Sequence, residues 1–264
     1  MPISGVRTIE TKNYSIFYIE TFSNEFKQII RDQLKGIWSG FAEADILPEF
    51  YSYKNTLKSF LERYNPKSEN IKKGMIGELL AHILLGHQEN ELTSLSILKN
   101  KEEKSIKKGF DIIYCNLTEN KLWYSEVKSG RSEKGLENSN TYNTILLNRA
   151  KVGIGSMISE RRNSLWESAL YDVSAMIREN DGRINLKLLL SGDSPSINSN
   201  QRKNVILISV LYHGLMDLII ESSINQFFTD ATSENVFESI TVVSIQKDTF
   251  EIVADFLRDE LASA

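Results

Sequence analysis

Apolar and polar positions along the chain predict alternating strands and helices. Apolar runs that are unbroken or have a period of two are typical of strands, whereas apolar positions three and four residues apart are typical of helices. Strands are predicted on this basis at residues 14–20, 110–116, 121–128, 205–212 and 239–246. Helices are predicted at residues 24–38, 54–64, 72–85, 144–161, 164–179 and 249–261. Interspersed elements of both kinds favour an α/β or α+β fold with a mixed central sheet flanked by helices.

Capping residues and polar runs mark the boundaries of these elements. Ser23 is predicted to cap the helix at 24–38, and Gly86 to end the strongly apolar helix at 72–85. The charged run at 99–108 and the polar run at 191–204 are predicted to be loops. Neither is a long linker, and no repeat is present, so the 264 residues are predicted to form a single domain, 1–264.

Charge and cysteine content exclude several classes of protein. With a formal net charge of −4, the chain has no overall positive field that would attract nucleic acid, so DNA binding would need a local basic patch or a partner. Cys115 is the only cysteine, which excludes an intramolecular disulfide and a multi-cysteine zinc site and fits a reducing cytoplasm. The first residues lack the apolar core of a signal peptide, and the most apolar stretch, 205–220, is too short to cross a bilayer. We therefore expect a cytoplasmic protein with no membrane association.

The candidate chemistry lies in the pair of strands predicted at 110–116 and 121–128. Glu-x-Lys occurs five times in the chain, but only Glu126 and Lys128 end an apolar strand. If the four residues 117–120 close a hairpin, Asn116 pairs with Lys121 and Asp111 lies opposite Glu126 on the same face. The pattern therefore predicts two opposed carboxylates.

Two opposed carboxylates repel each other unless a cation lies between them. Hard oxygen ligands suit Mg²⁺ or Mn²⁺, so Asp111 and Glu126 are candidate metal ligands. Lys128 projects from the same face as Glu126, where an ammonium group could orient or help deprotonate a water molecule and stabilise a phosphorane-like transition state. This arrangement is typical of enzymes that hydrolyse phosphodiesters.

Glu78 is a third candidate acid. It lies off the apolar stripe of the helix at 72–85, on a face that carries Gly74, Gly77 and Ala81. Such small residues allow a helix to approach another element closely, so Glu78 could reach a metal ion or a water beside the other two carboxylates.

Three segments together resemble a known nuclease superfamily: GMIGELLAHILLG, KKGFDIIYCN and LWYSEVKSG. Glu78 on a helix, Asp111 at the start of a strand, and Glu126 with Lys128 on the next strand resemble the PD-(D/E)xK superfamily. More narrowly, the segments resemble the HamA nuclease-subunit family of the Hachiman antiphage defence system. Phe110 stands where the superfamily has the proline of its PD dipeptide, a departure that leaves the candidate metal ligands unchanged.

The resemblance implies a fold, site roles and partners. The fold would be a restriction-endonuclease-like core at about 70–165 with helical additions at both ends. Asp111 and Glu126 would bind the metal, Lys128 would assist the attacking water, and Glu78 would add a ligand or a water contact. The substrate would be DNA, and the partner a HamB-type helicase that hydrolyses ATP and controls the nuclease. This chain has no phosphate-binding Gly-Lys-Ser/Thr motif of its own.

Structural alternatives stay open for each candidate residue. Glu126 and Lys128 could be the charged end of an edge strand, where lysine blocks pairing with other sheets. Asp111 could simply be a polar residue at the mouth of a loop, and Glu78 could pair with His82 one turn later. For the whole protein, the alternative function is an inactive nuclease fold that binds the helicase or DNA without cleavage.

Eight basic residues are candidates for contacts with DNA phosphates, although an ordinary solvated charge is the favoured interpretation for each of them. Four lie close to the candidate site in the sequence, and four lie on the following helical segment. They are Lys107, Lys108, Arg131 and Lys134, and then Arg149, Lys151, Arg161 and Arg162.

Overall fold

A computed structural model describes residues 2–87, 92–99, 109–131, 138–160, 162–198 and 201–263 of the chain. Within these residues it contains seven strands and nine helices. The strands are β1 (Val6–Glu10), β2 (Tyr14–Ile19), β3 (Leu92–Ser94), β4 (Ile112–Asn116), β5 (Lys121–Arg131), β6 (Asn204–Tyr212) and β7 (Ser239–Lys247). The helices are α1 (Asn24–Ser39), α2 (Phe41–Ile46), α3 (Tyr53–Tyr64), α4 (Glu69–His87), α5 (Ser139–Ser159), α6 (Asn163–Met176), α7 (Asn180–Gly192), α8 (Glu221–Ser233) and α9 (Glu251–Ser263).

All seven strands form one mixed sheet in the order β1-β2-β7-β6-β5-β4-β3. The four central strands, β2, β7, β6 and β5, are parallel, and antiparallel pairs extend the sheet at both sides. Parallel strands covered on both faces are apolar throughout, which explains why every residue of β6 after Asn204 is buried. The α/β class with a mixed sheet flanked by helices is thus confirmed.

Two hydrophobic clusters fill the layers on either side of the sheet. One packs α1, α3, α4 and α9 against a face that includes Val127, Ile208 and Ile245. The other packs α5, α6, α7 and α8 against the opposite face, which includes Tyr124 and Leu207. Residues of β5 alternate between the two layers, so the neighbouring residues Glu126 and Val127 face different helices.

Several predicted boundaries and elements are corrected by the structure. The terminal additions are not only helical, because β1 and β2 near the start of the chain and β7 near its end belong to the sheet. Strand β5 continues beyond Lys128 to Arg131, and α5 begins at Ser139, where the Asn138 side chain accepts a hydrogen bond from Thr141 N at 2.9 Å. Gly86 does not end its helix, which continues to His87. The predicted loop at 99–108 lies outside the described residues except for Lys99.

The expected capping of α1 is confirmed, and the single cysteine is buried. Ser23 Oγ accepts a hydrogen bond from Phe26 N at 3.1 Å at the start of α1. Cys115 is buried in the same cluster as Tyr124. Among the helices that the structure describes, none is long and apolar enough to cross a membrane.

Candidate active site

The β4–β5 hairpin has the predicted register. Asn116 pairs with Lys121 and Ile112 with Ser125, so a four-residue loop joins the strands. Asn116 Oδ1 accepts a hydrogen bond from Glu119 N at 2.9 Å, and Asn120 adopts a left-handed conformation with φ of 51°. Asparagine tolerates this conformation better than most residues and also closes turns through its side chain. The loop residues therefore set the register that brings Asp111 opposite Glu126.

Asp111 is held at the start of β4 by contacts on both sides. Its Oδ2 accepts a hydrogen bond from the backbone N–H of Val127 at 2.8 Å, which holds the carboxylate against the β5 backbone next to Glu126 and Lys128. The preceding Phe110 is buried, with its ring centroid 4.7 Å from that of Tyr124 and 5.1 Å from that of Trp166. Phe110 thus anchors the segment as a packed aromatic ring. The alternative of a merely polar loop residue does not account for the bond to Val127.

Glu126 lies in the middle of the sheet. Strand β5 is hydrogen-bonded to β4 on one side and to β6 on the other, with Glu126 paired to Leu207. Only 6% of Glu126 is exposed. The edge-strand alternative for Glu126 and Lys128 is therefore wrong, and a buried acid in this position needs a compensating interaction.

The ammonium group of Lys128 supplies that interaction. Its Nζ donates to Glu126 Oε1 in a close ion pair, while about a third of its own side chain is exposed. Burial opposes the charged ammonium, but the negative charges of Glu126, Asp111 and Glu78 together raise the pKa of Lys128. The site therefore opens to solvent at a lysine that stays protonated at neutral pH.

The carboxylates destabilise one another despite this ion pair. Burial, followed by the negative charge of Asp111, raises the pKa of Glu126 to about 8, against the opposing effect of Lys128. The charge of Glu78 raises it further. Such a perturbed acid beside a second carboxylate is typical of functional sites. The predicted residues Glu78, Asp111, Glu126 and Lys128 thus act on one another electrostatically in the folded chain.

Helix α4 carries Glu78 and approaches β5 closely, and the charge of Glu78 acts on Glu126 and Lys128. A Cβ placed on Gly77 would lie 1.9 Å from Ser129 Oγ and 3.4 Å from Val210 Cβ, so only glycine fits this contact. The prediction that small residues on this face allow a close approach is wrong at Gly74, where a Cβ would meet nothing within 4 Å. Whether His82, which is buried on the same helix, pairs with Glu78 stays a prediction.

Gly153 of α5 is a site residue that sequence reasoning missed. A Cβ at this position would lie 2.9 Å from Glu126 Oε1, so glycine leaves the room that the carboxylate occupies. The Gly153-Ile154-Gly155 run lacks the third glycine of a dinucleotide-binding loop, and in the structure it lies within a helix. A glycine in a helix interior is costly, and this cost was the available signal of a close approach.

The fit to a divalent cation rests on the chemistry of the donor set. Asp111 and Glu126 offer hard carboxylate oxygens, and burial together with the charge of Asp111 raises the pKa of Glu126, two effects that a bound cation would offset. Across the described residues, no group of three or more His, Cys, Asp or Glu side chains is arranged to hold a metal ion. Asp111 and Glu126 are the two carboxylates that could hold a cation, and Glu78 acts on Glu126 through its charge.

The candidate phosphate contacts differ in their availability. Arg131 is engaged, because its guanidinium pairs with Glu251 at 2.6 Å and Glu69 at 3.7 Å. Three further candidates are Lys151, which pairs with Glu234, Arg162, which pairs with Glu160, and Arg149, which is exposed. The remaining four, Lys107, Lys108, Lys134 and Arg161, lie outside the described residues.

The fold and the site define an α/β protein with a buried glutamate–lysine pair beside an aspartate in its central sheet. A family model for HamA matches residues 3–261 of the 264-residue chain, so the chain belongs to the HamA family of the Hachiman defence system. A search of curated proteins found no match.

Proposed function

We propose that this HamA protein is a metal-dependent DNA nuclease with a restriction-endonuclease-like core. The observation that carries the proposal is the buried pair of Glu126 and Lys128 beside Asp111, in which three acidic side chains act on one lysine. A protein that only bound DNA would gain nothing from buried carboxylates that repel phosphate. The resemblance of these residues to the PD-(D/E)xK pattern supports the same chemistry.

Each residue of the candidate site would have its own role in hydrolysis. Asp111 and Glu126 would hold Mg²⁺ or Mn²⁺, which supplies Lewis acidity and neutralises charge on the scissile phosphate when bound. Lys128, kept protonated by its acidic neighbours, would donate a hydrogen bond that orients the attacking water and would stabilise negative charge in the transition state. Glu78 would accept a hydrogen bond from water at the margin of the site.

The net charge of the chain supports the hypothesis that a partner delivers DNA to it. At −4 the chain attracts duplex DNA weakly over long range, and non-specific affinity depends on the number of phosphates neutralised. The resemblance implies a HamB-type helicase, and an unrestrained nuclease would damage its own host. The proposal is that the helicase restrains cleavage until it engages DNA with free ends or single-stranded segments and uses ATP.

Cleavage of plasmid DNA tests the proposal. The purified chain, alone and with its helicase, is incubated with supercoiled or linearised plasmid in Mg²⁺, Mn²⁺ or EDTA, with and without ATP. We expect metal-dependent degradation with little sequence preference, and in the complex a dependence on ATP and free ends. The absence of cleavage in every arm would favour the inactive scaffold, and cleavage at one recognition sequence would favour a stand-alone restriction enzyme.

Divalent metal is expected to raise the melting temperature of the chain. A ligand that binds only the folded state at about 100 times its Kd stabilises it by about 2.7 kcal/mol, or roughly 5 °C in a chain of this size. Asp111→Asn should lose most of this shift because it removes one ligand charge, whereas Asp255→Asn, on the exposed surface of α9, should keep it. Equal shifts in both variants, measured by differential scanning fluorimetry, would contradict metal binding at Asp111.

A further inference from the structure

Helix α5 covers the part of β5 that carries the site. A Cβ on Gly130 would lie 2.7 Å from Tyr142 Cε1, and a Cβ on Gly153 would lie 2.9 Å from Glu126 Oε1. The early part of α5 therefore lies over the end of β5, and the later part lies over Glu126. Lys128 is placed between these two contacts, so the helical turns between Tyr142 and Gly153 flank the solvent-exposed end of Lys128.

Arg149 lies on the flank of α5 that faces the site. It precedes Gly153 by four residues, one helical turn, and follows Tyr142 by seven, two turns, so all three lie on nearly the same side of the helix. Lys151 is two residues further along, about 200° around the helix, and its Nζ pairs with Glu234. The two cations thus point to opposite flanks of one helix.

Arg149 is also available to a ligand. It is exposed, and among the residues that the structure describes no carboxylate forms an ion pair with it. By contrast, Arg131, three residues beyond Lys128, is held by Glu69 and Glu251. A guanidinium that can offer two parallel hydrogen bonds is well suited to the oxygens of a phosphate.

From this placement we propose that Arg149 binds a DNA backbone phosphate next to the one positioned at Lys128. The inference rests on the proposed nuclease function and deepens it by naming how the substrate is held beside the site. Arg149 then contributes to affinity and to the register of the DNA strand, because phosphate contacts position nucleic acid without reading its sequence.

Equilibrium binding of the full chain to a fluorescent DNA duplex in EDTA tests the inference without requiring cleavage. Arg149→Ala is expected to weaken binding about five- to tenfold at low salt and to reduce the salt slope of log K by about 1. Lys151→Ala, the matched control on the other flank, should stay within twofold of wild type, and Arg149→Lys should retain the wild-type salt slope. In cleavage assays Arg149→Ala should raise KM more than it lowers kcat.

The outcomes separate this inference from the proposed function. Wild-type binding that depends on Arg149, without cleavage in any arm of the plasmid assay, would uphold the phosphate contact and overturn the nuclease. Cleavage with unchanged binding and KM in Arg149→Ala would overturn the phosphate contact alone. The inference also fails if Arg149→Ala and Lys151→Ala weaken binding equally, or if wild type shows no salt-dependent DNA binding.

Discussion

A chain carrying both Glu126→Ala and Lys128→Ala is expected to lose DNA cleavage by about 10³-fold or more. Each change removes a group that would act directly on the metal, the water or the phosphate. Removing both together also avoids leaving a buried carboxylate without its ammonium partner, which would destabilise the fold. The measurement is the rate of loss of supercoiled plasmid at saturating metal, with folding checked by circular dichroism.

The chain supplies a control with the same sequence pattern. Glu119 and Lys121 also form a Glu-x-Lys pair and an ion pair at 2.9 Å, but their side chains are about half exposed at the hairpin loop. Glu119→Ala with Lys121→Ala should therefore leave cleavage within twofold of wild type. Cleavage at the wild-type rate by the Glu126 and Lys128 double variant would refute the assignment of the site.

The hairpin could be predicted because its determinants are local. A loop of four residues between two apolar runs sets the pairing of Asn116 with Lys121, and the period of two in strands then carries the register along to Asp111 and Glu126. The structure adds the bond from Val127 N to Asp111 Oδ2, which agrees with that register.

The burial of Glu126 could not be predicted in this way. It depends on the parallel pairing of β5 with β6, in which Glu126 lies beside Leu207, a residue 81 positions later. Such pairing leaves no local pattern in either strand, so the sequence left an edge position for β5 open as an alternative. The close approach of Gly153 to Glu126 is non-local for the same reason.

Elements with weak patterns were missed as well. Strand β1 has one buried residue of five, and α7 buries only Leu186 and Leu190, so neither shows a clear apolar periodicity. Strand β3 has only three residues. The strands at the two edges of the sheet could therefore be identified only in the folded structure, whereas the strongly apolar β6 and β7 were evident in the sequence.

Glu126→Gln is expected to stabilise the metal-free chain at alkaline pH. The folded chain raises the pKa of Glu126 to about 8, whereas an unfolded glutamate ionises near its ordinary value of 4.5. Between these pH values the folded state keeps a proton that the unfolded state has lost, so the contribution of this group to stability declines as the pH rises through that window. Glutamine stays neutral throughout and avoids this loss.

The size and pH dependence of the effect distinguish it from a general change in packing. Above pH 8, Glu126→Gln should exceed wild type by about 2–4 kcal/mol in the free energy of unfolding, and near pH 4.5 the two should agree. Glu119→Gln, at the exposed loop, should match wild type at both pH values.

Millimolar Mg²⁺ or Mn²⁺ should make wild type more stable than Glu126→Gln at pH 8, because the wild-type carboxylate binds the ion and the amide does so only weakly. Urea unfolding in EDTA and in the presence of metal measures these free energies. A wild-type chain more stable than Glu126→Gln at pH 8.5 without metal would contradict the destabilisation inferred from the burial of Glu126 and the charge of Asp111.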